Sequence, residues 1–110
     1  MTNPNQLYNT ALDYFGEGKL EEAAKAMQDL IQSHPDFLNA YEGLAMVYSR
    51  SNRHDDAIRV MKDLAKLDSE NPMVHANLSL FYMKKGMIKE AEDEKAKATI
   101  LQFAKKKPKT

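Results

Sequence analysis

The chain has 110 residues, which is the size of one domain. Hydrophobic residues make up 43% and charged residues 29%, near the globular averages, so disordered and fibrous classes are excluded. The 16 basic and 16 acidic side chains balance, which gives no electrostatic reason to expect a nucleic-acid or membrane partner. Because the chain has no cysteine, disulfides, thiolate zinc sites and cysteine nucleophiles are also excluded.

The start of the chain carries no targeting signal. Residues 1–6 lack the basic region and the apolar core of a signal peptide. No apolar run is long enough to cross a bilayer. We therefore expect a cytoplasmic protein.

A period of 34 residues organises the chain into one domain, residues 1–110. Shifting the sequence by 34 residues aligns three segments without a gap, residues 4–37, 38–71 and 72–105. Equivalent positions then carry the same residue type, as in Tyr14, Tyr48 and Tyr82, and in Ala23, Ala57 and Ala91. Self-similarity of this kind indicates one supersecondary unit repeated three times.

The first segment, residues 4–37, predicts two helices joined by Gly16-Glu17-Gly18. Glu21 and Glu22 then fall in the first turn of the second helix, where the helix dipole favours acids. Pro35 marks the end of this helix pair.

The second segment, residues 38–71, has the clearest pattern. Tyr41, Leu44, Ala45 and Tyr48 recur at i, i+3, i+4 and i+7, which predicts one apolar stripe on a helix. A second stripe at i, i+4 and i+7 follows the polar connection 51–53, and its members are Ala57, Met61 and Leu64. The small Ala45 and Ala57 are expected to let the two helices approach closely.

The third segment, residues 72–105, begins with Pro72 and has Gly86 in its connection. Lys95 stands where the earlier segments have methionine, as expected of a terminal repeat with no further repeat to cover it. We expect the last helix to continue through Ile100, Leu101 and Phe103 and to cover the end of the array. A basic tail, residues 106–110, follows.

These residues at this period resemble the tetratricopeptide repeat family, over about residues 4–105. The predicted fold class is therefore all-α, an array of three antiparallel helix pairs. The resemblance implies that the array is a right-handed superhelix and that the first helix of each pair lines a concave groove. It also implies that a peptide or helix of a partner protein binds in that groove.

A helical wheel predicts which side chains the groove exposes. The face opposite the core stripe of the second segment carries Asn39, Gly43, Met46 and Arg50. Leu12, Met46 and Leu80 share one register there and predict an apolar strip, which is typical of an interaction site. Together with flanking positions, the candidate groove residues are Tyr8, Asn9, Leu12, Asn39, Glu42, Met46, Arg50, Met73, Asn77, Leu80 and Lys84.

Two other interpretations of this strip remain. Neighbouring side chains can cover it inside a tight superhelix, or another copy of the chain can occupy it. The function expected from the strip is a non-enzymatic protein–protein interaction module, and the alternative is a self-assembling scaffold, a homo-oligomer whose groove or repeat ends are filled by another copy.

One subfamily binding mode is excluded by the residues present. Some tetratricopeptide domains hold the terminal carboxylates of heat-shock chaperones through cationic and amide side chains at five groove positions. Here those positions carry Tyr8, Leu12, Gly43, Met73 and Asn77. Since carboxylate capture needs fixed cationic donors, this clamp is absent.

No catalytic, metal or cofactor site is predicted. His34, His54 and His75 are about twenty residues apart with no ligand partner one helical turn away. We expect His34 and His54, which lie near predicted helix ends, to be surface histidines, whereas His75 stands where a bulky aromatic is usual in the family. The run Gly16-Glu17-Gly18-Lys19 has the wrong glycine spacing for a phosphate loop and is explained by a turn.

Charge is nevertheless uneven along the chain. Residues 4–37 carry a net charge of −4, residues 38–71 carry −1, and residues 72–110 carry +5. This asymmetry favours head-to-tail stacking of copies at low salt. The basic tail is interpreted either as a solvated terminus or as a contact for phosphates.

Overall fold

The computed structural model describes residues 3–106 and places six helices and no strand in that range. The helices are α1 (Pro4–Gly16), α2 (Leu20–Ser33), α3 (Asn39–Arg50), α4 (His54–Leu67), α5 (Pro72–Lys84) and α6 (Ile88–Lys106). Each helix packs mainly against the next one in the chain, and α1 also contacts α3. The radius of gyration, 14.9 Å, exceeds the roughly 13 Å expected of a compact domain of this length. The molecule is therefore an elongated array of three helix pairs, as predicted.

The turn inside each helix pair repeats with the sequence period. The residue with positive φ is Gly18, Asn52 and Gly86 in turn, at 78°, 61° and 80°. The backbone N–H of the next residue donates to the carbonyl oxygen of the tyrosine five residues before it. The distances are 2.9, 2.8 and 2.9 Å for Tyr14, Tyr48 and Tyr82. This closure requires a left-handed residue, which glycine and asparagine adopt at low cost.

Small residues let the two helices of a pair approach closely. Ala45 and Ala57 are both fully buried, as the sequence predicts. In the third pair the equivalent residues are Ser79 and Ala91, and the Ser79 hydroxyl donates to the Ala91 carbonyl oxygen at 2.7 Å. A hydrogen bond of this length can form only where the helices are in direct contact.

The apolar stripe of α3 is the centre of the core. Tyr41, Leu44, Ala45 and Tyr48 are all buried, which confirms the predicted helix face. The Tyr41 hydroxyl donates to the Pro35 carbonyl oxygen at 2.6 Å, and Gln28 donates to the Tyr48 hydroxyl. Because each buried hydroxyl has a hydrogen-bond partner, burying a tyrosine here carries little cost in desolvation.

His75 occupies the position of Tyr41 in the third repeat and is buried there. It is only 8% exposed. Its Nε2 lies 2.8 Å from the Ser69 carbonyl oxygen and its Nδ1 2.8 Å from a Glu94 carboxylate oxygen. His54 is half-buried, and its Nδ1 is buried with no hydrogen-bond partner among the described residues.

The pair of His75 and Glu94 ties α5 to α6. Burial of Glu94 opposes its ionisation, but hydrogen bonds from His75 and Lys97 outweigh burial and hold the pKa of Glu94 below its ordinary value. The Ser69 carbonyl can only accept, so Nε2 donates. The same ring thus joins the α4–α5 connection to α6 through its two nitrogens.

Helix α6 continues through Phe103 as expected, but it does not cover the end of the array. Ile100 is 68% exposed and Phe103 is 74% exposed. Helix α6 has 19 residues and its partner α5 has 13, so the end of α6 has no antiparallel neighbour to pack against. The predicted basic tail, residues 106–110, falls outside the side chains that the structure describes.

Candidate functional site

A hollow of about 450 Å³ lies between α3 and α5 and reaches Phe15 of α1. We call it the groove, and its lining residues are Phe15, Glu42, Met46, Ser49, Arg50, Met61, Asn77, Leu80, Phe81 and Lys84. Six of the eleven predicted site residues come together there, namely Glu42, Met46, Arg50, Asn77, Leu80 and Lys84.

The groove has an apolar floor and apolar walls. Met61 and Phe81 are buried and belong to the core that the groove rests on. Met46 and Leu80 line the groove while 50% and 60% exposed. Side chains exposed to this extent contribute little to the core, so the structure leaves them available for contact with another molecule.

The acidic and basic residues of the groove lie at opposite ends of α3. Glu42 lies in the first turn of that helix and Arg50 is its last residue. The Arg50 guanidinium lies 5.2 Å from the centre of the Phe15 ring, a cation–π distance. Lys84, the last residue of α5, donates to the Ser49 hydroxyl at 3.1 Å. Two cations are thus held by neighbours at one end of the groove.

The other five predicted site residues do not line the groove. Tyr8 packs edge-to-face on Phe37 with ring centres 5.6 Å apart, and it is half-buried. Burial, with a smaller effect of the Glu42 carboxylate, raises the pKa of the Tyr8 hydroxyl. The others are exposed on the first turns of α3 and α5 or on α1, and they are Asn9, Leu12, Asn39 and Met73.

The expected exposure of Gly43 beside these residues is wrong. Gly43 is buried, and a Cβ atom there would lie 2.6 Å from Met27 Cε and 3.3 Å from Tyr8 Cε1. The helical wheel treats α3 alone, whereas the side chains of α1 and α2 close over this position. The glycine therefore lets α3 pack closely against the first helix pair.

Ser49 is a groove residue that sequence reasoning missed. It stands at the same register of the repeat as Phe15, which also lines the groove. A small polar side chain gave no apolar signal there. The 34-residue register was sufficient to find it.

A second hollow of about 480 Å³ lies between α5 and α6 and shares Leu80 with the groove. We call it the end pocket, and it is lined by Ala76, Ser79, Leu80, Met83, Ala91, Glu92, Lys95, Ala98, Thr99 and Gln102. No group of three or more acidic or histidine side chains suited to a metal ion occurs within residues 3–106. In the same range, no helix is both long and apolar enough to cross a membrane.

Comparison with known proteins decides the family. A family model described as tetratricopeptide repeat matches residues 14–76, more than half of the chain. The chain belongs to the tetratricopeptide repeat family. The predicted fold class, an all-α repeat array, is confirmed by solved structures of the same fold.

Several proteins resemble this tetratricopeptide repeat chain over most of its length. Superkiller complex protein 3 of Homo sapiens is 30% identical over 95 residues, which are 86% of this chain and 6% of that protein. The chain thus spans only a small part of that relative.

Among solved structures, MamA superposes with a TM-score of 0.87 at 24% identity, over 94% of this chain and 61% of MamA. The type III secretion translocator chaperone SycD of Yersinia enterocolitica superposes with a TM-score of 0.84 at 26% identity. That match covers 89% of this chain and 73% of SycD.

Proposed function

We propose that this protein is a non-enzymatic protein–protein interaction module that binds a peptide or an amphipathic helix of a partner in the groove. The observation that carries the proposal is the pair of half-exposed apolar side chains, Met46 and Leu80, above a buried apolar floor. A complex of SycD with a peptide of the translocator YopD supports it, since that chain is 27% identical and superposes with a TM-score of 0.82.

The proposed contacts follow from the chemistry of the lining. An apolar side chain of the partner inserts between Met46 and Leu80, where a methionine adapts to different shapes. The amide of Asn77 bonds the partner's backbone, as amide side chains do in peptide grooves. Further contacts beyond the groove are assigned to the half-buried Tyr8 and to the exposed Asn9, Leu12, Asn39 and Met73.

The charges of the groove select the sequence of the partner. Arg50 and Lys84 lie at one end, each held by a neighbour, so an acidic side chain placed beside the apolar anchor is favoured there. Glu42 opposes an acid at the start of α3. We therefore propose an acidic residue on one side of the anchor only.

The first test selects peptides from a random phage-displayed library on the immobilised protein. We expect the selected peptides to share an apolar anchor. The double variant Met46→Glu, Leu80→Glu should weaken their binding at least tenfold, which is about 1.4 kcal/mol, because it places carboxylates on the apolar walls. Isothermal titration calorimetry measures the affinities.

Leu67 supplies a matched control for this test, because it is 54% exposed but lies at the end of α4, away from the groove. Leu67→Glu should leave the affinity unchanged. If the control weakens binding as much as the double variant, or if neither does, the groove is not the binding site.

A second test concerns the charged end of the groove. Arg50→Gln and Lys84→Gln should each weaken selected peptides that carry an acid by about two- to fivefold at low salt, as expected of exposed ion pairs. The same peptides with the acid replaced by its amide should lose that difference. An equal loss for both peptide forms would show that the cations act only through packing.

We also propose that residues 1–110 form a single domain with repeats at residues 4–37, 38–71 and 72–105. The protein is proposed to be cytoplasmic and to have no nucleic-acid or membrane partner. The alternative function, assembly through another copy, is favoured by a separate observation at the end of the array.

A further inference from the structure

The exposed face of α6 carries an apolar stripe that the repeat does not require. Ala96, Thr99, Ile100 and Phe103 recur at i, i+3, i+4 and i+7 and are all exposed, and we call them the α6 stripe. In the first two repeats the residues equivalent to Ile100 are Gln32 and Lys66, both exposed and polar. An isoleucine at this position therefore has no role in packing one repeat.

The α6 stripe adjoins an incomplete packing surface. Thr99 also lines the end pocket, whose positions in the first two repeats pack against the next helix pair. In those two repeats the residues equivalent to Glu92 and Lys95 are apolar and buried, and they are Ala24, Met27, Ile58 and Met61. The end pocket and the α6 stripe together form one surface that is open to a further helix.

Helix α6 is long enough for its last residues to pack against the end pocket of another molecule. It has 19 residues, whereas α2 and α4 have 14 each. At 1.5 Å per residue, the additional five residues add about 7 Å. The extension, residues 102–106, carries Phe103, and Ile100 lies just before it. These are the two most exposed large apolar side chains among the described residues.

The opposite end of the array does not fit this surface. The helix face of α1 that corresponds to the buried Ala40, Leu44 and Val47 of α3 carries Gln6, Thr10 and Asp13. All three are exposed. Stacking this end on the end pocket would bury polar groups against apolar ones, which is unfavourable. The head-to-tail stacking expected from the charge asymmetry is therefore disfavoured by packing.

The charges of α6 fit a second α6 in antiparallel orientation. One turn before Ala96, on the side of the α6 stripe, the helix carries Glu92 and Asp93, and its last turn contains Lys105. An antiparallel pair places Glu92 and Asp93 of each helix beside Lys105 of the other, whereas a parallel pair places like charges together. A two-fold axis near Thr99 produces this arrangement.

We propose that two copies of this chain form a symmetric dimer in which the α6 stripes pack antiparallel and the extension of each α6 covers the end pocket of the other. The groove lies between α3 and α5, on the side toward α1, and remains open in this dimer apart from the shared Leu80. The proposal therefore stands independently of peptide binding.

The test uses the absence of native cysteine. Thr99 and Thr10 are both exposed, and each hydroxyl donates to the backbone carbonyl four residues before it. Thr99→Cys should form a disulfide-linked dimer under mild oxidation, because the two residues meet near the axis. Thr10→Cys is the matched control and should stay monomeric on a non-reducing gel.

Sedimentation equilibrium measures the native dimer. The double variant Ile100→Glu, Phe103→Glu should raise the dimer dissociation constant at least tenfold, while Met46→Glu, which changes only the groove, should not. Increasing salt should weaken the dimer, since the charges at its ends are solvent-exposed. Circular dichroism checks that each variant is folded.

Three results would overturn the proposal. One is a wild-type monomer at concentrations up to about 1 mM, which corresponds to less than roughly 4 kcal/mol of association. Another is a dimer that the α6 variants leave unchanged. The third is cross-linking of Thr10→Cys to Thr99→Cys in a mixture without self-linking of Thr99→Cys, which would establish head-to-tail stacking.

Discussion

We expect Leu44→Ala to lower the free energy of unfolding by about 2–5 kcal/mol. Leu44 is 4% exposed and lies at the centre of the stripe by which α3 packs into the array. Truncation removes its buried methyl groups and leaves a cavity that neighbouring helices cannot fill without moving. Chemical denaturation followed by circular dichroism measures the loss.

Met46, two residues along the same helix, is the matched control. It is 50% exposed, and alanine and methionine are both good helix formers. Met46→Ala should therefore change the free energy of unfolding by no more than about 0.5 kcal/mol. Equal losses for the two variants would mean that the faces of α3 are assigned incorrectly, and the groove with them.

The second large effect is expected at the buried pair of α5 and α6. His75→Ala should lower the free energy of unfolding by about 2–4 kcal/mol, because it leaves a cavity and removes a hydrogen bond from the Glu94 carboxylate. The loss is limited because Glu94 keeps its contact with Lys97 at 3.0 Å. His34→Ala is the control, because the hydrogen bond of that ring is made to the adjacent Ser33. It should cost no more than about 0.5 kcal/mol.

The pH dependence separates the hydrogen bond between His75 and the Glu94 carboxylate from simple packing. The pKa of Glu94 is lowered in the folded protein, so its contribution to stability is present above its ordinary value of 4.5 and is lost as the pH falls through the lower, folded value. The difference in unfolding free energy between wild type and His75→Ala should accordingly narrow below pH 4.5. A difference that persists unchanged at acid pH would assign the effect to the cavity alone.

The repeat and its turns could be predicted because they depend on local residues. Tyr48 and its equivalents recur every 34 residues, and the carbonyl of each closes the same turn through a glycine or asparagine. The exposed positions of Met46 and Leu80 were predictable for the same reason, since a helical wheel needs only the sequence of one helix.

The burial or exposure of other positions depends on side chains from a different helix, and the sequence of one helix does not show these neighbours. Gly43 is buried because Met27 and Tyr8, from two other helices, close over it. His75 is accommodated in the core because Glu94, on the next helix, supplies its partner. Neither neighbour is marked by periodicity within α3 or α5. The exposure of Phe103 likewise follows from the shorter length of α5, not from its own residue type.

Binding of a partner segment in the groove between α3 and α5 is best tested by nuclear magnetic resonance, with a selected peptide titrated into the isotope-labelled protein. We expect the largest chemical-shift changes and the intermolecular contacts at Met46, Asn77 and Leu80, with Arg50 and Lys84 beside them. Shifts confined to α2 and α4, or to the α6 stripe, would contradict it.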